Sequence, residues 1–283
     1  MLKTDINEFL KQVHIFIMIG IFDSGIGGLT TVRSFLDTLP GYDITYFGDT
    51  ARTPYGSKSH ETVIRYAKEN TEFLINKGAK IIIIACNTAS SVATEAISEQ
   101  FDIPVFEVIT PAVEMAVELT TKSQIGIIGT RGTINSGIYD RKIKEQLPNA
   151  KIWSNPCPLL VPLVEEGWFT RPETKMIVKK YLSPLKTKQI DSLILGCTHY
   201  PLLKDIIQQK IGKRVRVIDS SVAVTSKVQR FFNENPDIES GLSKNKRLDI
   251  YVSDITSQFE KTARMILKKK INLKVNGTGT ASI

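Results

Sequence analysis

The sequence has few of the residues that cross-link a chain or bind metals. Its 283 residues include 3 cysteines and 3 histidines. The cysteine count is odd and nothing indicates an oxidising compartment, so we do not expect a structural disulfide. No C-x-x-C or H-x-x-x-H pair is present, so the local clamp of a typical zinc site is missing.

Long apolar runs are also missing. No stretch approaches the roughly 20 apolar residues that a membrane-spanning helix needs, so we expect no membrane partner. The apolar residues 15–22 follow Asp5 and Glu8, and no small-residue cleavage site comes after them. We therefore interpret this segment as leading into a first core strand rather than as a secretory signal, and we expect a cytoplasmic protein.

No block of like charge dominates the chain. Lys and Arg outnumber Asp and Glu by 37 to 29, which gives a net charge of +8. The densest basic run, 268–270, closes the last predicted helix, where lysines complement the helix dipole. We interpret the charge as a solvated surface and keep nucleic-acid binding as the alternative that we do not favour.

Apolar runs alternate with segments of helical periodicity, which is typical of an α/β protein with mainly parallel sheets. One predicted helix follows Ser59 as N-cap and ends at Gly78, and the final helix starts near Thr256. The predicted strands are 18–22, 44–47, 80–85, 105–108, 125–129, 151–153, 192–195, 215–218 and 249–252.

Short internal echoes indicate a duplication. Asp23-Ser24 closes the first strand and Asp219-Ser220 closes a late one. We predict two similar α/β domains with the active site in the cleft between them. The first would comprise 18–110 plus 220–270 and the second 111–219. Residues 1–17 would be an N-terminal extension and 271–283 a flexible tail.

Two cysteines occupy matched contexts. Cys86 and Cys197 each follow an apolar strand and a small residue, and each precedes polar residues and a helix-like stretch. In open parallel sheets, ligands bind outside the carboxyl ends of the strands, so each thiol falls where a substrate would sit. Two thiols facing one cleft suit chemistry with a proton group on each side of a substrate. The alternative for either cysteine is a small buried core residue, which is our interpretation of Cys157.

Polar groups accompany these thiols. Thr88 can start a helix whose positive end favours a thiolate at Cys86. His199 lies two residues after Cys197, where it can shuttle protons or depress the pKa of the thiol. A zinc site made from both cysteines, His199 and Asp23 is a less favoured alternative.

Two loops follow the first strands. The glycine-rich loop 23–29 has Thr30 where a dinucleotide fingerprint needs glycine, so we expect its backbone N–H groups to approach a small anion. Asp23 stands beside that site, and N-capping of the next helix is its competing role. The turn-rich loop 47–56 is a candidate substrate loop.

Together these motifs resemble the glutamate racemases, within the cofactor-independent aspartate/glutamate racemases. The resemblance runs from about Met18 to about Leu267. The motifs that carry it are Asp23-Ser24-Gly25-x-Gly27-Gly28-Leu29, Pro54-Tyr55-Gly56, Cys86-Asn87-Thr88-Ala89 and Gly196-Cys197-Thr198-His199-Tyr200-Pro201-Leu202-Leu203.

The resemblance implies a two-base racemisation that supplies D-glutamate for peptidoglycan. Cys86 would take the Cα proton from D-glutamate and Cys197 from L-glutamate, with Asp23 and His199 as their respective assistants. It further implies no metal, no pyridoxal phosphate or other cofactor, and a homodimer. Glu165 matches an acidic position near the family's site, but a surface helix role competes. The implied substrate-binding residues are Asp23, Ser24, Tyr55, Gly56, Asn87, Thr88, Thr198 and His199.

Two alternatives stay open. An aspartate racemase is one, because a pocket gains only about 1–3 kcal/mol from one methylene. A non-catalytic small-ligand binding protein with core cysteines is the other.

Overall fold

The computed structural model describes residues 17–268 and 273–275. The strands of these residues are β1 (Met18–Asp23), β2 (Ile44–Gly48), β3 (Ala79–Ile84), β4 (Val105–Glu107), β5 (Gln124–Gly129), β6 (Lys151–Pro156), β7 (Ser192–Gly196), β8 (Arg216–Asp219), β9 (Leu248–Val252) and β10 (Leu273–Val275).

The strands form two sheets in which all described pairings are parallel. The first has the order β10-β9-β2-β1-β3-β4 and the second β6-β5-β7-β8. The order β2-β1-β3-β4 therefore recurs as β6-β5-β7-β8. In such an order the chain reverses direction across the sheet between the first and third strands, and ligands bind at that switch point. The duplication thus creates two equivalent switch points.

Helices cover both faces of each sheet. They are α1 (Leu29–Thr38), α2 (His60–Asn76), α3 (Asn87–Gln100), α4 (Ile109–Leu119), α5 (Arg131–Asn135), α6 (Ile138–Gln146), α7 (Leu160–Glu165), α8 (Pro172–Thr187), α9 (Lys204–Ile211), α10 (Ser220–Glu234), α11 (Pro236–Ser240) and α12 (Ser257–Leu267).

The sheet cores explain the continuous apolar runs. Ile81 and Ile83 pack into one core cluster, and Ile82 and Ile84 pack into another. Successive strand side chains point to opposite faces, so a strand covered on both sides must be apolar throughout. The same holds in β7, where Leu193 lies in one cluster and Ile194 in another.

Local signals set the helix ends. The hydroxyl of Ser59 accepts a hydrogen bond from the Thr62 N–H at 3.4 Å, and Gly78 follows α2 at φ +96°. Thr256 likewise accepts from the Phe259 N–H at 3.1 Å, which starts α12. Both predicted helices are confirmed.

All nine predicted strands form with ends shifted by at most a few residues, and the two-sheet parallel α/β class is confirmed. Within the predicted tail 271–283, β10 pairs with β9. The rest of that tail outside β10, and the extension 1–16, lie outside the described residues. The division of the chain into domains stays a prediction. Across the part described, no helix combines the length and apolarity that crossing a membrane requires.

Candidate active site

The two switch points carry the two matched cysteines. Cys86 follows β3, where it is the N-cap of α3, and Cys197 follows β7. Because β3 and β7 are equivalent strands of the duplicated order, the thiols occupy equivalent positions.

Both cysteines line one cavity. It leaves about 20 Å³ for the centres of water molecules, which is room for about one water. Its walls come from both sheets. The lining residues are Ser24, Thr53, Pro54, Tyr55, Gly56, Cys86, Asn87, Thr88, Thr130, Val161, Cys197, Thr198 and His199. All the predicted site residues are among them except Asp23, which lies behind this wall.

Cys86 is 4% exposed, and its thiol donates to the Ser24 hydroxyl across 3.7 Å. Burial first, and the charge of Asp23 second, raise the pKa of the Cys86 thiol to about 12. The hydrogen bonds that Cys86 makes with the Ala89 N–H and with Ser24 lower this pKa but are outweighed. The helix start favours the Cys86 thiolate through the Ala89 N–H, as expected, but desolvation outweighs this contribution.

Cys197 heads a line of polar groups. Its sulfur lies 3.7 Å from Nδ1 of His199, whose Nε2 lies 3.3 Å from Oε1 of Glu165. Burial lowers the pKa of His199, but the hydrogen bonds and negative charges of Cys197 and Glu165 outweigh it and raise this pKa to about 10. An imidazole that keeps its proton favours the thiolate form of a neighbouring cysteine.

Asp23 joins the two halves behind the cavity. Its Oδ2 accepts from the N–H groups of Gly25 and Gly28, each at 3.0 Å, and its Oδ1 accepts from the Thr198 hydroxyl at 3.1 Å. The expected anion site in the glycine loop is thus filled by the protein's own carboxylate. Gly27 serves close packing instead, since a Cβ there would lie 2.5 Å from Nδ1 of His199.

The loop after β2 is held by its own network. The Tyr55 hydroxyl donates to the buried Asp49 and accepts from Nδ2 of Asn70 at 3.0 Å. Tyr55 therefore lines the cavity without a free hydroxyl. The next residue, Gly56, touches the second sheet, because a Cβ at Gly56 would lie 2.6 Å from Cβ of Thr130.

Three residues of this site were missed or left undecided from sequence. Glu165, left undecided, contacts His199. Thr130 was missed; its hydroxyl lies 2.9 Å from that of Thr88. Thr53 was missed too; among the described residues its buried hydroxyl lacks a hydrogen-bond partner. The sequence carried only weak signals for two of these residues. Thr130 directly follows a strand, as Ser24 does, and Thr53 precedes the Pro-Tyr-Gly turn.

The third cysteine lies outside the cavity lining, and the site residues do not form a grouped set of metal ligands among the described residues. Cys157 is fully buried in the core of the second sheet and is not among the cavity-lining residues, as predicted. Over the ranges that the structure describes, no three His, Cys, Asp or Glu side chains are grouped as metal ligands.

Known proteins share this fold. The Asp/Glu/Hydantoin racemase family model matches residues 31–228. A glutamate racemase from Persephonella marina is 48% identical over 256 residues, which cover 90% of this chain and 95% of that protein. The structure of a Bacillus anthracis glutamate racemase matches with a TM-score of 0.87 and 35% identity, over 93% of this chain and 98% of the other. The structure of the Francisella tularensis glutamate racemase in complex with D-glutamate gives a TM-score of 0.85 and 39% identity over the same shares.

Two parallel sheets of the same strand order that enclose a pair of thiols define the class, an α/β racemase scaffold. The chain belongs to the Asp/Glu/Hydantoin racemase family.

Proposed function

We propose that this protein interconverts L- and D-glutamate by proton transfer between two thiols, and so supplies D-glutamate for peptidoglycan. The observation that carries the proposal is the placement of Cys86 and Cys197 at equivalent switch points on one cavity. The relatives named above support glutamate as the substrate.

In this mechanism the two cysteines act as base and acid, and they exchange these roles when the reaction runs in the opposite direction. For D-glutamate, the Cys86 thiolate removes the Cα proton and the Cys197 thiol delivers a proton to the opposite face. For L-glutamate the two cysteines exchange these tasks. A single group cannot easily reach both faces of one carbon, which is why the reaction needs two positioned groups.

The neighbours of each thiol tune it differently. His199, with its pKa raised to about 10, holds a proton beside Cys197 at neutral pH. Cys86 instead lies near Asp23, which opposes a thiolate. A substrate ammonium bound beside Asp23 would offset that charge, so binding itself would favour the Cys86 thiolate.

The remaining lining groups suit a substrate with two carboxylates and an ammonium. Hydroxyls of Ser24, Thr53 and Thr198, together with backbone N–H groups of the Tyr55-Gly56 turn, offer donors and acceptors from both sheets. Substrate specificity for glutamate over aspartate would depend on the distances between these groups.

The test is a racemisation assay on both enantiomers of glutamate and aspartate, with no cofactor added and after treatment with EDTA. We expect turnover of glutamate above aspartate, unaffected by EDTA. Cys86→Ala and Cys197→Ala should each abolish racemisation, whereas Cys157→Ala, the matched control outside the cavity, should retain it. Wild-type turnover by either of the first two variants would refute the two-thiol assignment. Glutamate binding without any turnover would favour the binding-protein alternative.

We also infer a cytoplasmic homodimer from the family resemblance. Light scattering of the purified chain measures the assembly directly.

A further inference from the structure

The residue after each cysteine is held by the opposite half of the molecule. Thr198, which follows Cys197, donates to Asp23 at the end of β1. Asn87, which follows Cys86, is held by Tyr139 of α6, whose hydroxyl donates to Asn87 Oδ1 at 2.6 Å. Both connections therefore cross from one sheet to the other next to a thiol.

The second connection continues as a chain. Nδ2 of Asn87 lies 3.5 Å from the Ser220 hydroxyl, and this hydroxyl donates to the backbone carbonyl of Leu195 at 3.3 Å. Leu195 is in β7, two residues before Cys197. We call Tyr139, Asn87, Ser220 and Leu195 the Asn87 tether. It runs from the neighbour of one thiol to the strand that carries the other.

The directions of these hydrogen bonds are fixed by chemistry. A carbonyl only accepts, so Ser220 must give its one proton to Leu195 and accept from Asn87. The Asn87 atom facing Ser220 is therefore the amide nitrogen, which leaves its oxygen for Tyr139. Burial, then the charges of Glu107 and Cys197, raise the pKa of Tyr139 well above normal, so the phenol keeps the proton it donates.

The tether is buried throughout. Tyr139 and Asn87 are each 2% exposed, and Ser220 and Leu195 are fully buried. The Tyr139 ring also packs on the backbone before the second thiol, since a Cβ at Gly196 would lie 3.2 Å from its Cε2. Water cannot replace these partners without opening the core, so the tether resists changes in the separation of the two strand ends.

We propose that Tyr139 and Ser220 are positioning residues that set the spacing of Cys86 and Cys197 across the substrate carbon. This inference rests on the proposed racemisation. It separates these residues from Asp23 and His199, since a spacing device acts on both proton transfers and not on one thiol.

Tyr139→Phe and Ser220→Ala test the tether. Tyr139→Phe keeps the ring against Gly196 and removes the hydroxyl. We expect kcat to fall on the order of 10- to 100-fold, as small misplacements of reacting groups do. KM should change by no more than about twofold, because substrate contacts remain. In D₂O, the ratio of deuterium incorporation into the starting enantiomer to formation of the opposite enantiomer should rise. The rise should be the same whether the reaction starts from L- or from D-glutamate. The double variant should lose no more kcat than the more impaired single variant, because either substitution alone already interrupts the tether.

Thr225→Val is the matched control. Its buried hydroxyl donates within α10 to the Ser221 carbonyl at 2.8 Å, so it loses a comparable hydrogen bond without touching the tether. If both tether variants keep the wild-type kcat and the wild-type ratio of exchange to inversion, the proposal is overturned. It is also overturned if Thr225→Val changes these quantities as much as the tether variants do.

A second readout does not need turnover. Iodoacetamide should alkylate Cys86 and Cys197 faster in Tyr139→Phe than in the wild type, with the modified peptides identified by mass spectrometry. Unchanged rates would count against the tether. A wild-type chain that fails to racemise glutamate would defeat the proposed function, and the alkylation rates would still decide on the tether.

Discussion

At the scale of single residues, the two thiols have unlike neighbours although their strands are equivalent. Cys86 lies near a carboxylate that disfavours its thiolate, and Cys197 lies beside an imidazole that keeps its proton. In the proposed mechanism, two thiols in unlike surroundings carry out the same proton transfer in opposite directions, so variants of their neighbours should affect the two directions differently.

Asp23→Asn and His199→Asn should affect the two directions unequally. Removing an assistant should slow most the proton abstraction by its own cysteine, so His199→Asn should slow deprotonation of L-glutamate. Asp23→Asn should slow deprotonation of D-glutamate, because the substrate ammonium that would favour the Cys86 thiolate loses the carboxylate proposed to hold it there. The enantiomers have equal free energies, so kcat/KM must stay equal in both directions. The measurement is therefore solvent-deuterium incorporation into each starting enantiomer. Equal losses from both enantiomers in both variants would assign these residues to binding or structure.

Glu165 should set the alkaline limit of activity. Glu165→Gln removes a charge that raises the pKa of His199, so this pKa should fall below about 10. As the pH rises, the imidazole then loses its proton sooner, and the alkaline limb of kcat/KM should move down by about one unit. Glu165 is one-third exposed, so the shift should shrink in high salt. Glu166→Gln is the control, and an unmoved limb in Glu165→Gln would show that this carboxylate does not act through His199.

At the scale of elements, the glycine loop after β1 fits against the turn after β7. A Cβ at Gly27 would lie 2.4 Å from the Thr198 hydroxyl and 2.5 Å from His199. Gly27→Ala should therefore displace the second thiol's partners and destabilise the fold by about 1–3 kcal/mol. Urea unfolding and turnover measure both effects.

Gly241→Ala is the contrasting substitution. The nearest atom to its Cβ would be 3.5 Å away and its φ is −73°. We expect a change within about 0.5 kcal/mol and normal turnover. Equal tolerance at Gly27 would mean that the loop can move away from His199 without loss.

Sequence patterns predicted the elements well where the cause was local. The hydroxyl caps of Ser59 and Thr256, and the apolar strand before each cysteine, act within a few residues. The strand β10 was missed because its pairing with β9 decides it, and its own residues carry a weak pattern. The roles of Glu165, Tyr139 and Ser220 depend on contacts 34 to 133 residues away in the chain, which no local pattern encodes.

One sequence echo proved misleading about the duplication. Asp23 ends β1, an inner strand in the order β2-β1-β3-β4, whereas Asp219 ends β8, the edge strand in the order β6-β5-β7-β8. These positions are not equivalent, so the duplication rests on the strand order instead. Ser24 and Ser220 nevertheless contact the same segment of the chain, because Ser24 is hydrogen-bonded to Cys86 and Ser220 to Asn87.

At the scale of the whole molecule, the cavity is too small for its proposed substrate. Space of about 20 Å³ for water centres cannot admit a glutamate. Its walls come from both sheets, so we expect the loops that line it to move apart for substrate to enter and to close around it afterwards, while the buried tether keeps the strand ends together. Closure then excludes water from the thiols, which strengthens every charge interaction in the site.

This opening predicts a shared reactivity of the two cavity cysteines. Cys86 and Cys197 are 4% and 5% exposed, so a thiol reagent reaches either one only when the cleft opens. Because one glutamate between the halves shields both, rising glutamate should slow their alkylation in the same proportion, by the fraction of protein left free. Cys157, fully buried in the core and not part of the cavity lining, should react slowly at all glutamate concentrations. Protection of one cavity thiol without the other would mean that the substrate does not lie between them.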